Sequence, residues 1–214
     1  MSYGGIIAGH SFVHGLSNHF ANLPGNNNTI SMPVTHLRLS NNVSTITLLG
    51  RRGATVNDLP NILVDEVFTR NACDFLVIDC GSNDLATNAY PLGHPFGPLA
   101  VSVRLYDYAK SILRSTPVKH IILCSALYRS AGISCSPEDF RLKVNLFNKT
   151  LKVLCDGNPA ITYHTHRGFW RLNDRTPTPI HNWSRDEIHP NTPRGRAKYI
   201  ASLRTAILNI RPYM

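Results

Sequence analysis

Five short apolar runs constrain this chain most: Tyr3–Ala8 (YGGIIA), Val43–Leu49 (VSTITLL), Phe75–Cys80 (FLVIDC), Ile121–Ser125 (IILCS) and Ala160–His164 (AITYH). Each is strand-sized, and its near-continuous apolar character fits a strand buried on both faces, as in a parallel sheet covered by helices. Between the runs the period changes to 3.6. After Pro98, the residues Val101, Leu105, Tyr108 and Ile112 mark one helical face. Ser136-Pro137-Glu138-Asp139 supplies an N-cap, a proline at N1 and acids in the first turn. Phe140, Val144, Phe147, Leu151 and Leu154 then form its buried stripe. A last helix opens at Asn191-Thr192-Pro193 and buries Ile200, Leu203, Ile207 and Ile210. Five strands alternating with helices predict an α/β fold, a three-layer α/β/α sandwich around a five-stranded parallel sheet.

The 214 residues suit one domain, taken as 1–214. A chain of this size buries roughly 70% of its unfolded surface, so it needs no metal or disulfide to fold. With 43% hydrophobic and 16% charged residues it is not a disordered polar segment. No apolar run reaches the ~18 residues of a membrane span. Met1–Leu16 is moderately apolar without a basic region before it, which reads as a first strand rather than a secretion signal. Five cysteines (Cys73, Cys80, Cys124, Cys135, Cys155) are an odd number without metal-like pairing, and read as reduced, structural thiols in an intracellular setting.

The net charge of +9 is unevenly placed. Through residue 140 nine Lys and Arg balance nine Asp and Glu, whereas residues 141–214 hold thirteen against four. Sixteen of the basic residues are Arg and six are Lys. Arginine's planar fork suits phosphate, so an anionic partner and a merely soluble basic surface are both open.

In an open parallel sheet, chemistry gathers at the carboxyl ends of the strands. After the first run stands Gly9-His10-Ser11-Phe12, and after the second Gly50-Arg51-Arg52-Gly53-Ala54-Thr55. Gly81-Ser82-Asn83-Asp84 follows the third, and Asp186-Glu187-Ile188-His189-Pro190 precedes the last helix. Singly these read as an N-cap serine, turns and a helix start. Together they make a reaction. Ser11 needs a base to act as a nucleophile, His189 can supply it, and Asp186 three residues earlier can orient the imidazole. Backbone N–H groups of Ser11 and Gly53, with the side-chain amide of Asn83, are candidate oxyanion donors, each such donor being worth ~3 kcal/mol.

The four blocks, in this order, resemble the SGNH (GDSL-type) hydrolase family. That resemblance spans Gly9 to His189. It implies a flavodoxin-like sheet of order 2-1-3-4-5, no metal or other cofactor, and ester hydrolysis through an acyl-enzyme. Carried over by position, Ser11 is the nucleophile, His189 the base and Asp186 its orienting acid. Gly53 and Asn83 complete the oxyanion hole. Gly53 is preferred to Gly50 because a short residue and Thr follow it. One departure stands in block one, where the family usually has Asp and this chain has His10. More narrowly, Gly9-His10-Ser11-Phe12-Val13, His166–Trp170 (HRGFW) and Asp186–Asn191 (DEIHPN) resemble esterase domains in open-reading-frame-1 proteins of CR1/L2-type LINE retrotransposons.

Other residues have competing readings. His164-x-His166 has metal-like spacing but no neighbouring carboxylate or cysteine, so loop histidines are the better reading. Arg51 and Arg52 are either an anion clamp or solvated charges. Trp170, Trp183, Tyr90 and Phe96 lie on loops that flank the strand ends and are candidates for an acyl pocket. Arg194, Arg196, Lys198 and Arg204 gather opposite the last helix's apolar stripe, a face suited to weak contact with RNA or an anionic membrane. The expected function is a serine esterase acting on short acyl esters, acetyl first, on a small or lipid substrate. The retrotransposon resemblance would make it a domain of a larger oligomeric protein. The rivals are a carbohydrate O-acetylesterase and an idle esterase fold that binds RNA or anionic membranes.

Overall fold

A computed structural model describes residues 3–21, 29–33, 37, 39, 43–69, 73–87, 94, 97–169 and 179–210. Five strands run parallel: β1 (Tyr3–Gly9), β3 (Val43–Gly50), β4 (Phe75–Asp79), β5 (His120–Cys124) and β6 (Ile161–His164). All five are the apolar runs of the sequence, to within a residue or two at their ends. A sixth, β2 (Thr29–Pro33), pairs antiparallel with β3, so the sheet order is β2-β3-β1-β4-β5-β6. The parallel part therefore has the expected 2-1-3-4-5 order. The expectation of a five-stranded sheet is corrected by this added edge strand. TISMP lacks a continuous apolar run because it is an edge strand, and an edge is where a terminal proline is tolerated. Residues 24–28 lie outside the described residues.

Every residue of β4 and β5 is buried, so helices cover both faces of the sheet there. The covering helices are α1 (Ser11–Ala21), α2 (Leu59–Leu63), the four-residue α3 (Ser82–Leu85), α4 (Pro98–Ser115), α5 (Pro137–Asp156) and α6 (Pro193–Asn209). A 3-10 turn, Val56–Asp58, leads into α2, which runs on as a π-helical stretch over Val64–Thr69. The 3.6 periods become packing: Val101, Leu105 and Ile112 on α4, and Phe140, Val144, Phe147 and Leu151 on α5, are buried in one hydrophobic core. On α6 the buried stripe is Tyr199, Leu203, Ala206 and Ile207, with Ile200 only half-buried.

Trp183 departs from expectation. It is 1% exposed and stacks edge-on against Phe169 at 5.0 Å, so it belongs to the core rather than to an acyl pocket. Trp170, Tyr90 and Phe96 lie outside the described residues. Burying Trp183 has a consequence for the loop that carries His189. The Thr192 hydroxyl donates to the Trp183 carbonyl at 3.0 Å and accepts from the Gly195 N–H at 2.9 Å. One side chain thus caps α6 and ties its start to the core. Thr192→Ala should cost about 1 kcal/mol in urea unfolding, the usual value of an N-cap; an unchanged midpoint would mean the cap contributes nothing.

Candidate active site

β1 lies between β3 and β4: the chain passes from β1 to β3 on one side and then crosses to β4 on the other, so the strand order reverses here. This is a switch point, where the loops after adjacent parallel strands diverge and leave a crevice. Three candidate residues stand just beyond those strand ends: Ser11 at the start of α1, Gly53 in the turn after β3 and Asn83 in the short α3 after β4. The fourth block comes from far along the chain, in the turn before α6. The structure brings Ser11, Gly53, Asn83, Asp186 and His189 to the wall of one cavity of about 630 Å³. Phe12, Leu16, Ile188 and Tyr199 supply much of its apolar lining.

The Asp186–His189 pair is built by a turn. The Asp186 Oδ1 accepts the Ile188 N–H at 3.0 Å, the His189 N–H at 2.8 Å and the Ser184 hydroxyl at 2.9 Å. Its Oδ2 faces the His189 Nδ1 at 2.7 Å. Burial would raise the Asp186 carboxyl, but these donors outweigh it and hold the carboxyl well below the usual range. An ionised Asp186 requires the proton on His189 Nδ1, which leaves Nε2 as the acceptor. The Phe12 ring lies edge-on to the His189 ring at 5.8 Å.

Ser11 is the first residue of α1, so its backbone N–H belongs to a helix start and has no intrahelical acceptor. Gly53 has φ +69°, a backbone region that favours glycine, and a Cβ there would meet open space. Gly50 is packed instead, since a Cβ would lie 2.1 Å from the His14 backbone nitrogen. Gly53, not Gly50, faces the cavity. Asn83 is held on two sides: its Nδ2 donates to the Ala54 carbonyl at 2.9 Å, and its Oδ1 accepts from Arg129 Nη1 at 3.2 Å.

Beneath Ser11 lies a buried polar group that the sequence reading did not single out. Asp79, the last residue of β4, is 1% exposed and accepts from the Tyr199 hydroxyl. Its Oδ1 lies 3.6 Å from His10 Nε2 and its Oδ2 lies 3.4 Å from His166 Nε2. Burial alone would raise the Asp79 carboxyl, and the two imidazoles more than offset this. His10, also 1% exposed, accepts the Phe12 N–H on Nδ1 at 3.4 Å. Block one itself carries no carboxylate, and that of Asp79 on the neighbouring strand lies beside its His10. His164 and His166 both meet the Ser202 hydroxyl, at 2.9 and 3.0 Å. No group of three or more metal-ligating side chains occurs among the described residues.

No protein-family model and no curated protein matches this chain in sequence. Its fold is shared with known esterases. The chain is similar to an acetylxylan esterase from Geobacillus stearothermophilus, with a TM-score of 0.67 at 16% identity over 97% of this chain and 93% of that chain. It is also similar to a GDSL-like lipase from Bacteroides thetaiotaomicron (TM-score 0.64, 16% identity, 97% and 88% covered). A third likeness is to an α/β hydrolase from the metagenome of Lake Arreo, Spain (TM-score 0.62, 16% identity, 95% and 94% covered). These likenesses establish the fold.

The cavity wall is cationic. Arg52, Arg129 and Arg196 line it, and the one carboxylate among its described lining residues, Asp186, is engaged by His189. Arg51 turns away to Asp58 at 3.4 Å, and Lys198 donates to the Gly168 carbonyl at 2.9 Å, so neither is a free surface charge. All five cysteines are free thiols; burial pushes Cys73 and Cys155 up to about 12. No helix among the described residues is long and apolar enough to cross a membrane.

Asp84 shows what the strand-end environment does to an acid. Burial raises its carboxyl from 3.8 to about 6, although it accepts the Val56 N–H at 3.1 Å. Between these two values the folded protein keeps a proton that the unfolded chain has released. Stability therefore falls as pH rises through that window, by an amount on the order of 3 kcal/mol. Asp84→Asn should be more stable than wild type at pH 7.5, by up to about that amount, with the gap closing near pH 4. A gap that persists at pH 4, measured by urea unfolding, would contradict the raised carboxyl.

Proposed function

We propose that this protein is a serine esterase acting on short acyl esters, acetyl esters foremost. One observation carries the reading: the 2.7 Å Asp186–His189 pair lines the same cavity as Ser11, at the switch point of the sheet. In this mechanism His189 Nε2 takes the Ser11 proton as Oγ attacks the ester carbonyl. The oxyanion forms against the N–H groups of Ser11 and Gly53 and the free N–H of the Asn83 amide. His189 returns the proton to the leaving alkoxide, then activates the water that hydrolyses the acyl-enzyme. Asp186 stabilises the imidazolium and keeps its proton on Nδ1.

The likeness to an acetylxylan esterase supports an acetyl substrate and keeps a carbohydrate ester as the second reading. The cationic wall favours an ester whose alcohol part carries negative charge, such as a phospholipid. The excess of basic residues after residue 140 suits contact with an anionic membrane or RNA. On the sequence resemblance, the esterase is one domain of a larger oligomeric retrotransposon protein.

Hydrolysis of 4-nitrophenyl acetate should fall at least about 1,000-fold in Ser11→Ala and in His189→Ala. Asn83→Ala should lose about 100- to 1,000-fold in kcat. Equal rates for wild type and Ser11→Ala would overturn the mechanism. A panel of acyl lengths on neutral and anionic carriers then reads substrate preference.

A further inference from the structure

Arg129, on the loop after β5, is 6% exposed, and it lines the cavity. No carboxylate pairs with it among the described residues. Its guanidinium lies 5.7 Å from the centre of the Phe140 ring, and its Nε has no acceptor. Burying an arginine this deeply without a counter-ion is costly, so an uncompensated charge at this point calls for an explanation. Among the described residues its hydrogen bond is to Asn83, Nη1 donating to Oδ1 at 3.2 Å.

An amide has two donors on nitrogen and an acceptor oxygen. In Asn83 the oxygen must face Arg129, which can only donate, and the nitrogen must face the Ala54 carbonyl, which can only accept. The two partners fix which end of the amide is nitrogen. One Nδ2 hydrogen is spent on Ala54, and the second is left for the cavity that Asn83 lines. A cation on the amide oxygen also draws electron density from the nitrogen, which makes that free N–H a stronger donor.

We propose that Arg129 is a positioning residue for the oxyanion hole, orienting and polarising the Asn83 amide so that its free N–H meets charge developing on the substrate carbonyl. The inference rests on the esterase reading and adds to it a residue outside the four sequence blocks. Because Arg129 acts through Asn83, its effect is on kcat for any ester, including a neutral one.

The test is a double-mutant cycle on 4-nitrophenyl acetate, with Arg129→Met, Asn83→Ala and the pair, each checked for folding by thermal melting. Arg129→Met keeps the length of the side chain and removes its charge and donors. It should lower kcat about 10- to 100-fold with KM nearly unchanged. In the Asn83→Ala background the same change should cost less than about twofold. Arg129→Lys, which keeps the charge but loses the planar fork, should recover part of the rate. Should Arg129→Met not fold, Arg129→Lys runs the same cycle, and a loss seen only when Asn83 is present supports the proposal. Three results would overturn it: no loss of kcat, an equal loss with and without Asn83, or an effect confined to KM for anionic esters. The last would mean that Arg129 binds substrate charge directly. Hydrolysis that does not depend on Ser11 in wild type would instead remove the esterase reading, and this inference with it.

Discussion

The buried carboxylate of Asp79 is the interaction on which the site depends. It ends β4, yet it touches His10 in the β1–α1 turn, His166 after β6 and Tyr199 on α6. Four elements that are far apart in sequence therefore meet on one charge. An isolated carboxylate would not remain ionised at this depth; here the Tyr199 hydroxyl donates to it and two imidazoles lie 3.4 and 3.6 Å away. The same contacts hold the turn that presents Ser11 and the helix whose N-terminus follows His189. Breaking the cluster by removing one partner would leave the others unsatisfied, which is the expensive way to alter a buried polar network.

Above this cluster the topology does the assembling. Parallel strands β3, β1 and β4 end side by side, so their following loops deliver an N–H, a hydroxyl and an amide to one rim without further design. The Asp186–His189 turn arrives from the other direction and is held locally, by three donors to one carboxylate oxygen and by the Thr192 link to Trp183. The His189 ring then lies edge-on to Phe12. The charge of the cavity follows from the same arrangement: among the described residues of its wall the one acid is committed to His189 and Arg129 to Asn83, which leaves Arg52 and Arg196 to face whatever enters.

The parallel strands were legible in the sequence because burial on both faces leaves a run of apolar residues that no helix of that length would need. The helices on either side were legible from their period and caps, as with Ser136 and Thr192, whose hydroxyls accept from the third residue beyond. The edge strand Thr29–Pro33 was not, since edge strands carry neither signal. The five candidate residues were chosen from strand-end position and block order, and they line one cavity. What the sequence hid were the long-range partners. Asp79 reads as an oddity inside FLVIDC, and that single acid in an apolar strand was the signal available for the cluster below Ser11. Arg129 left no local signal, because its role comes from the approach of two residues 46 positions apart. Trp183 misled for the opposite reason: an aromatic on a polar loop looks like a ligand contact, but here its neighbour is Phe169.

The central claim is that Ser11 is a nucleophile activated by His189. The most direct measurement is labelling of the protein with a fluorophosphonate, followed by peptide mass spectrometry to locate the adduct. A single covalent adduct on Ser11, lost in Ser11→Ala and strongly slowed in His189→Ala, is the predicted result. No adduct, or one on another residue that survives Ser11→Ala, would contradict the account.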